Sequence, residues 1–161
     1  MNKSLLVATL AVALTAVSSA QQSRQSRPDT STRATETLQA EVLISTLSTA
    51  ELTKEIAAEK GTIEHKSEVE RGGPVAVVIR STACMKDEEG RCNMTAKVTV
   101  HNPDGSVFHE TKALDLPPTG RLAVPLTIGA TAGTGLYKVV VTVRDLTARR
   151  FGVLERSFAV K

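Results

Sequence analysis

Gly135-Leu136-Tyr137-Lys138-Val139-Val140-Val141-Thr142-Val143-Arg144-Asp145 is the stretch that decides the fold. Tyr137, Val139, Val141 and Val143 fall on every second residue, so in an extended chain they share one face. The same period of two recurs upstream. Val75, Val77 and Ile79 share a face, as do Met94, Ala96, Val98 and Val100, and again Leu122, Val124, Leu126 and Ile128. Turn-forming clusters separate these runs: Asn102-Pro103-Asp104-Gly105, Pro117-Pro118-Thr119-Gly120 and the glycine-rich stretch 129–135. Alternation over segments of this length predicts half-buried strands. Asn-Pro-Asp-Gly between two of them predicts a tight hairpin, because proline presets φ at the second position and glycine tolerates the backbone angles that close the turn. Pro125 removes one ladder donor, which places its strand at a sheet edge or at a bulge. Short antiparallel strands must cover their apolar faces, and the solution is a mainly β fold of two facing sheets.

Upstream of the alternating region the signal is different. Leu38 to Leu47 is β-friendly, and Ser48-Thr49-Ala50-Glu51 then has the spacing of a capping box. Leu52 and Ile56 follow at helical spacing and Gly61 supplies a stop, which predicts one short helix over 49–60. A strand is the alternative reading there, with a poor pattern. Gln21 to Thr37 holds almost no apolar residue and is expected to be a disordered polar tail.

Met1 to Ala20 reads as an export signal: Lys3, an apolar run from Leu5 to Val17, then Ser18, Ser19 and Ala20. About 20 apolar residues are needed to cross a bilayer, so this run is too short for a span. No cysteine follows the cleavage point, so no lipid anchor is expected. The short charged and apolar regions point to a bacterial source, with the periplasm or the medium as destination. Of the 161 residues, removal of these 20 leaves 141. That is one domain, 38–161, after the tail. An apolar content of 41% supports a real core and excludes full disorder. Aromatics make up only 2% and tryptophan is absent, which disfavours sugar and nucleic-acid binding. The net charge of +3 falls to +2 once Lys3 is lost, so no polyanion partner is expected.

Cys84 and Cys92 are the only cysteines and bracket Met85-Lys86-Asp87-Glu88-Glu89-Gly90-Arg91. In an oxidising compartment a pair this close staples its own loop. The gap is not that of a zinc knuckle or a redox motif, and no histidine lies inside it.

Gly135 to Asp145, followed by a turn and Phe151 to Val160, resembles the last two strands of bacterial immunoglobulin-like modules. Val98-Thr99-Val100-His101-Asn102-Pro103-Asp104-Gly105-Ser106-Val107 resembles the hairpin that precedes them, and small exported single-domain proteins of unknown function carry such a domain. The resemblance covers roughly residues 70–161, a span on which its motifs are mostly those of any sandwich. It implies an immunoglobulin-like antiparallel β-sandwich and a binding or scaffolding habit. The cysteines, eight apart in one hairpin, depart from the intersheet disulfide of antibody domains, so antigen-type recognition does not carry over.

Chemistry-bearing constellations are sparse. The histidines are His65, His101 and His109. A four-residue loop at 102–105 sets His101 opposite Ser106 and His109 opposite Val98, on opposite faces, whereas a one-residue bulge would bring them to one face. No nucleophile elbow is present, and Leu136 stands where a phosphate loop needs lysine. The carboxylates of Asp87, Glu88 and Glu89 lack the alternation of a calcium loop. Asn93-Met94-Thr95 fits a glycosylation acceptor, expected to be idle. The expectation is therefore binding and not catalysis, with a protein partner and no metal or cofactor. The candidate contact loops are the Cys84–Cys92 loop with Asp87, Glu88 and Glu89, and the hairpin tip with Asn102 and Asp104. Two rivals stand beside it: a structural subunit pairing through an exposed edge near 38–47, and an enzyme or enzyme inhibitor whose residues converge only in space.

Overall fold

The computed structural model describes residues 38–58 and 61–161. The expected signal at 1–20 and tail at 21–37 lie outside them. In chain order the elements are β1 (Ala40–Ser45), α1 (Thr49–Ala57), β2 (Glu68–Val69), β3 (Pro74–Ser81), β4 (Met94–His101), β5 (Val107–Glu110), β6 (Leu114–Asp115), β7 (Arg121–Thr127), β8 (Gly135–Asp145) and β9 (Arg150–Val160). One sheet has the order β1-β3-β7; the other has the order β2-β9-β8-β4-β5, with β6 also on β4. Neighbours are antiparallel except β2, which runs parallel to β9. The larger sheet is therefore mixed rather than purely antiparallel.

The period-two runs become the facing layers. Tyr137, Val139, Val141 and Val143 are buried against Met94, Ala96, Val98 and Val100 and against Val75, Val77 and Ile79 from the other sheet. β3 departs from simple alternation, since Val75 to Ile79 are all buried. The reason is a second apolar layer: Ala76 and Val78 point outward and are covered by Leu52 of α1, Leu43 and Ile63. The central strand of a three-stranded sheet with a helix on its outer face is enclosed on both sides, and its sequence reads as a continuous apolar run.

The helix starts as its sequence specifies. The Glu51 N–H donates to Ser48 Oγ at 3.4 Å, and the Ser48 N–H donates back to Glu51 Oε2 at 2.9 Å. Its end is set from a distance. α1 closes at Ala57, three residues before the expected limit, and Arg121 of β7 donates from Nη1 to the carbonyls of Ala58 (2.6 Å) and Glu55 (3.4 Å). Gly61 has a different role from a left-handed stop. A Cβ there would lie 2.0 Å from the Glu55 carbonyl oxygen, so the chain passes the helix end too closely for any side chain.

The hairpin also differs from its expected register. His101 pairs with Val107 and Val100 with His109, so the loop spans 102–106 and Phe108 is the extra residue of a bulge. The bulge swings Phe108 into edge contact with Tyr137, with centroids 5.5 Å apart. The bulge does not bring the two histidines to one face, contrary to the expectation for a bulged hairpin, because His109 lies opposite the buried Val100 while His101 continues the outward phase of β4. Pro125 sits on β7, an edge strand. That agrees with the missing donor.

Candidate functional site

The ladders fix which loops meet. Met94 of β4 pairs with Asp145 of β8, which pairs with Arg150 of β9, so the loops 82–93 and 146–149 share one end of the sandwich. His101 pairs with Lys138, and the hairpin tip 102–106 lies at the other end. Eight residues of β4 separate the two expected contact loops, about 24 Å at strand rise. They do not form one surface.

The disulfide end is built around two fixed points. Cys84 and Cys92 are bonded, with Cα atoms 5.7 Å apart. Asp145 is the second point, a carboxylate only 4% exposed at the end of β8. Its Oδ2 accepts from the Met85 N–H at 2.8 Å and its Oδ1 from the Ala148 N–H at 2.9 Å. The Leu146 N–H donates to Asn93 O at 2.9 Å, closing the same contact from the other side. One side chain thus ties the stapled loop to the turn between β8 and β9. A cleft of about 340 Å³ lies beside it, with Ser81, Cys84, Cys92, Met94, Leu116 and Pro117 among its walls.

Of the acidic residues singled out in the sequence, Asp87, Glu89 and Asp104 are used inside their own turns. Asp87 Oδ1 accepts from the N–H groups of Arg91 (2.8 Å) and Glu89 (3.0 Å), and Asp87 Oδ2 accepts from Arg91 Nε at 3.3 Å. The Arg91 N–H contact, the largest cause, helps hold the Asp87 carboxyl below its ordinary value. Arg91 also pairs with Glu89, while Glu88 is exposed. At the far tip, Asp104 Oδ1 accepts from Ser106 Oγ (2.6 Å) and the Ser106 N–H (2.9 Å), which lowers its pKa as well, and Asn102 Nδ2 donates to Ser106 Oγ. Side chains engaged this way shape a loop before they can touch a partner.

Beside these charged turns, three large apolar side chains project from the disulfide end. Met85 is 50% exposed, Leu146 47% and Phe151 71%. Met85 and Leu146 flank the Asp145 contact, and Phe151 lies across from Arg144, one step from it. Three of the four aromatic residues, Phe108, Tyr137 and Phe158, stack together in the core, so Phe151 is the one turned outward. The sequence reading passed over these residues and Asp145. A signal existed for Phe151, because counting in twos back from the buried Phe158 and Val160 puts it on the opposite face.

Among the described residues, no group of three His, Cys, Asp or Glu side chains is placed to hold a metal ion. No helix among them is long and apolar enough to cross a membrane. The edge near 38–47 is partly occupied. The Ile44 N–H donates to His65 Nδ1 (3.2 Å), Ile44 O accepts from the Lys66 N–H (2.8 Å) and Val42 O accepts from Arg156 Nε (3.1 Å).

Sheets ordered β1-β3-β7 and β9-β8-β4-β5 correspond to the A-B-E and G-F-C arrangement of an immunoglobulin-like β-sandwich. Tyr137 supplies a second mark of that class, since its hydroxyl donates to the Gly133 carbonyl four residues upstream at 3.0 Å, a tyrosine corner at the start of the F strand. Two residues on, where antibody domains carry the second cysteine, this chain has Val139. No protein-family model matches the sequence, and no curated protein matches it. Solved structures similar to it include an immunoglobulin-like protein from Pseudomonas aeruginosa, at 15% identity and TM-score 0.41 over 77% of this chain and 94% of that one. A superoxide reductase (neelaredoxin) from Ignicoccus hospitalis is similar at 8% identity and TM-score 0.41, over 62% and 79%. A family 123 glycoside hydrolase from Clostridium perfringens is similar at 13% identity and TM-score 0.42, where 76% of this chain spans 27% of the other. The fold assignment rests on strand order and the tyrosine corner, not on these likenesses.

Proposed function

We infer that the protein is an exported, non-enzymatic interaction module whose contact surface is the disulfide end of the sandwich. The observation that supports this reading is the grouping of Met85, Leu146 and Phe151, exposed on a frame pinned by Asp145 and Cys84–Cys92. Exposed aromatic and methionine side chains are costly to leave in water and are enriched where proteins bind one another. A pinned loop loses little entropy on binding, so its apolar contacts act with less offset. Export agrees with the leader-like residues 1–20 and with a disulfide, which persists in oxidising compartments. The partner this surface fits is a protein with an apolar socket.

The test is capture from the exported fraction of the source cells with the chain as bait, compared between wild type and the pair Met85→Glu, Leu146→Glu. Val107→Glu with Leu136→Glu, at the opposite end, is the control. A partner lost only with the first pair supports the reading. Equal retention by both, or equal loss, sinks it.

A further inference from the structure

We propose that two copies of this chain pair antiparallel through the free edge of β9, joining their larger sheets into one. The observation is a ladder count. The Ala159 N–H donates to Ser67 O (2.8 Å) and the Lys161 N–H to Val69 O (3.1 Å), both away from β8. Odd-numbered residues of β9 therefore aim their N–H and C=O groups outward. β2 pairs only with Ala159 and Val160. From Phe151 to Ser157 four outward N–H groups and four carbonyls have no ladder partner among the described residues, while β1 packs against the inner side of this stretch, where Arg156 Nε donates to Val42 O. Such a row is a template for another strand.

The other edges are guarded. β7 carries Pro125, β1 is engaged by His65, Lys66 and Arg156, and β5 is four residues long with a bulge. β9 alone is long and free of proline, and it shows Phe151 and Val153 (54% exposed) on the outer face. Its occupant follows from self-complementarity. With the two-fold axis at Gly152, Phe151 lies opposite Val153 of the second copy, and Val153 opposite its Phe151. These are aromatic to β-branched pairs of the kind that stabilise sheets. Moving the axis to Val153 sets Phe151 against Glu155 and loses both pairs. Gly152 adds no bulk at the axis; the space on its inner side belongs to Leu38, whose Cδ2 would lie 3.1 Å from a Cβ. A two-fold contact of this type is closed, so it ends at a dimer.

This pairing shares Phe151 with the partner surface but not Met85 or Leu146, so the Met85→Glu, Leu146→Glu pair tests that surface without touching the β9 edge. The experiment is sedimentation of the full chain, recovered in its exported form, over a range of concentrations. Wild type is expected to form a dimer. Val153→Pro removes an outward N–H that β8 does not use, so the fold is retained while the dimer weakens about tenfold or more, two hydrogen bonds being lost across the axis. Register is read by mixing Phe151→Cys and Val153→Cys chains under oxidation, since residues facing across a hydrogen-bonded pair have Cα atoms about 5.5 Å apart, within disulfide reach. Crosslinks should join the two variants in preference to either with itself. A wild-type chain that stays monomeric overturns the proposal, as does a dimer that Val153→Pro leaves intact. A dimer that forms only after residues 21–37 are deleted also overturns it, because the edge then belongs to the chain's own tail.

Discussion

Replacing Asp145 with alanine should loosen the disulfide end before it disturbs the rest of the sandwich. The carboxylate is 4% exposed and accepts two backbone N–H bonds at 2.8 and 2.9 Å. Hydrogen bonds to a charged group contribute about 1.5–3 kcal/mol each, so the gross loss is about 3–6 kcal/mol. Relief of the carboxylate's own desolvation offsets part of this, leaving about 2–4 kcal/mol. Asp145→Asn keeps one acceptor and should lose about half as much. The staple closes a loop of sequence separation 8, for which chain entropy gives about 2.5 kcal/mol. Both devices hold the same loop, so Asp145→Ala combined with Cys84→Ser and Cys92→Ser should cost less than the sum of the separate effects. Urea unfolding measures the stabilities, and amide exchange at Met85 and Ala148 reports the bonds themselves. An Asp145→Ala protein within about 0.5 kcal/mol of wild type, with both amides as protected as before, would refute the reasoning.

Tyr137→Phe removes the corner bond to Gly133, whose carbonyl is left to water, and should lower stability by about 1 kcal/mol in the same urea assay. Gly61→Ala drives a Cβ toward the Glu55 carbonyl, within 2.0 Å unless the chain shifts, and should cost about 1–3 kcal/mol with fraying of α1 seen by circular dichroism. Asp87 and Asp104 have lowered pKa values, so they stabilise the fold above the ordinary aspartate value of about 3.9 and lose that contribution as pH falls through their folded values. Carboxyl NMR titration should place both midpoints below about 3.9. Midpoints at or above that value would show that the two turns do not hold their carboxylates as described.

The strands were legible because alternation is a local property: a residue's face in an extended chain follows from parity alone. Tyr137, Val139, Val141 and Val143 needed no knowledge of their partners to be placed inward. The start of α1 was legible for the same reason, Ser48 and Glu51 being three residues apart. Its end was not, because the group that caps it, Arg121, is more than sixty residues away in sequence. The hairpin turn was visible in Asn102-Pro103-Asp104-Gly105, yet its register was not, since the bulge at Phe108 exists to meet Tyr137 on another strand. Asp87 and Asp104 stood out as exposed acids and proved to be internal acceptors, a distinction that depends on where neighbouring N–H groups point.

Sequence by itself determined that this chain is mainly β, that one short helix precedes the alternating strands, and that two cysteines eight residues apart bracket one loop. Only the tertiary structure decided that this loop shares an end with Asp145, Leu146 and Phe151, and that the hairpin tip lies at the other. The physical reason is range. Parity, caps and short loops are fixed by neighbours along the chain, whereas a surface is fixed by which strands pair, and pairing is the joint outcome of every apolar face being covered at once.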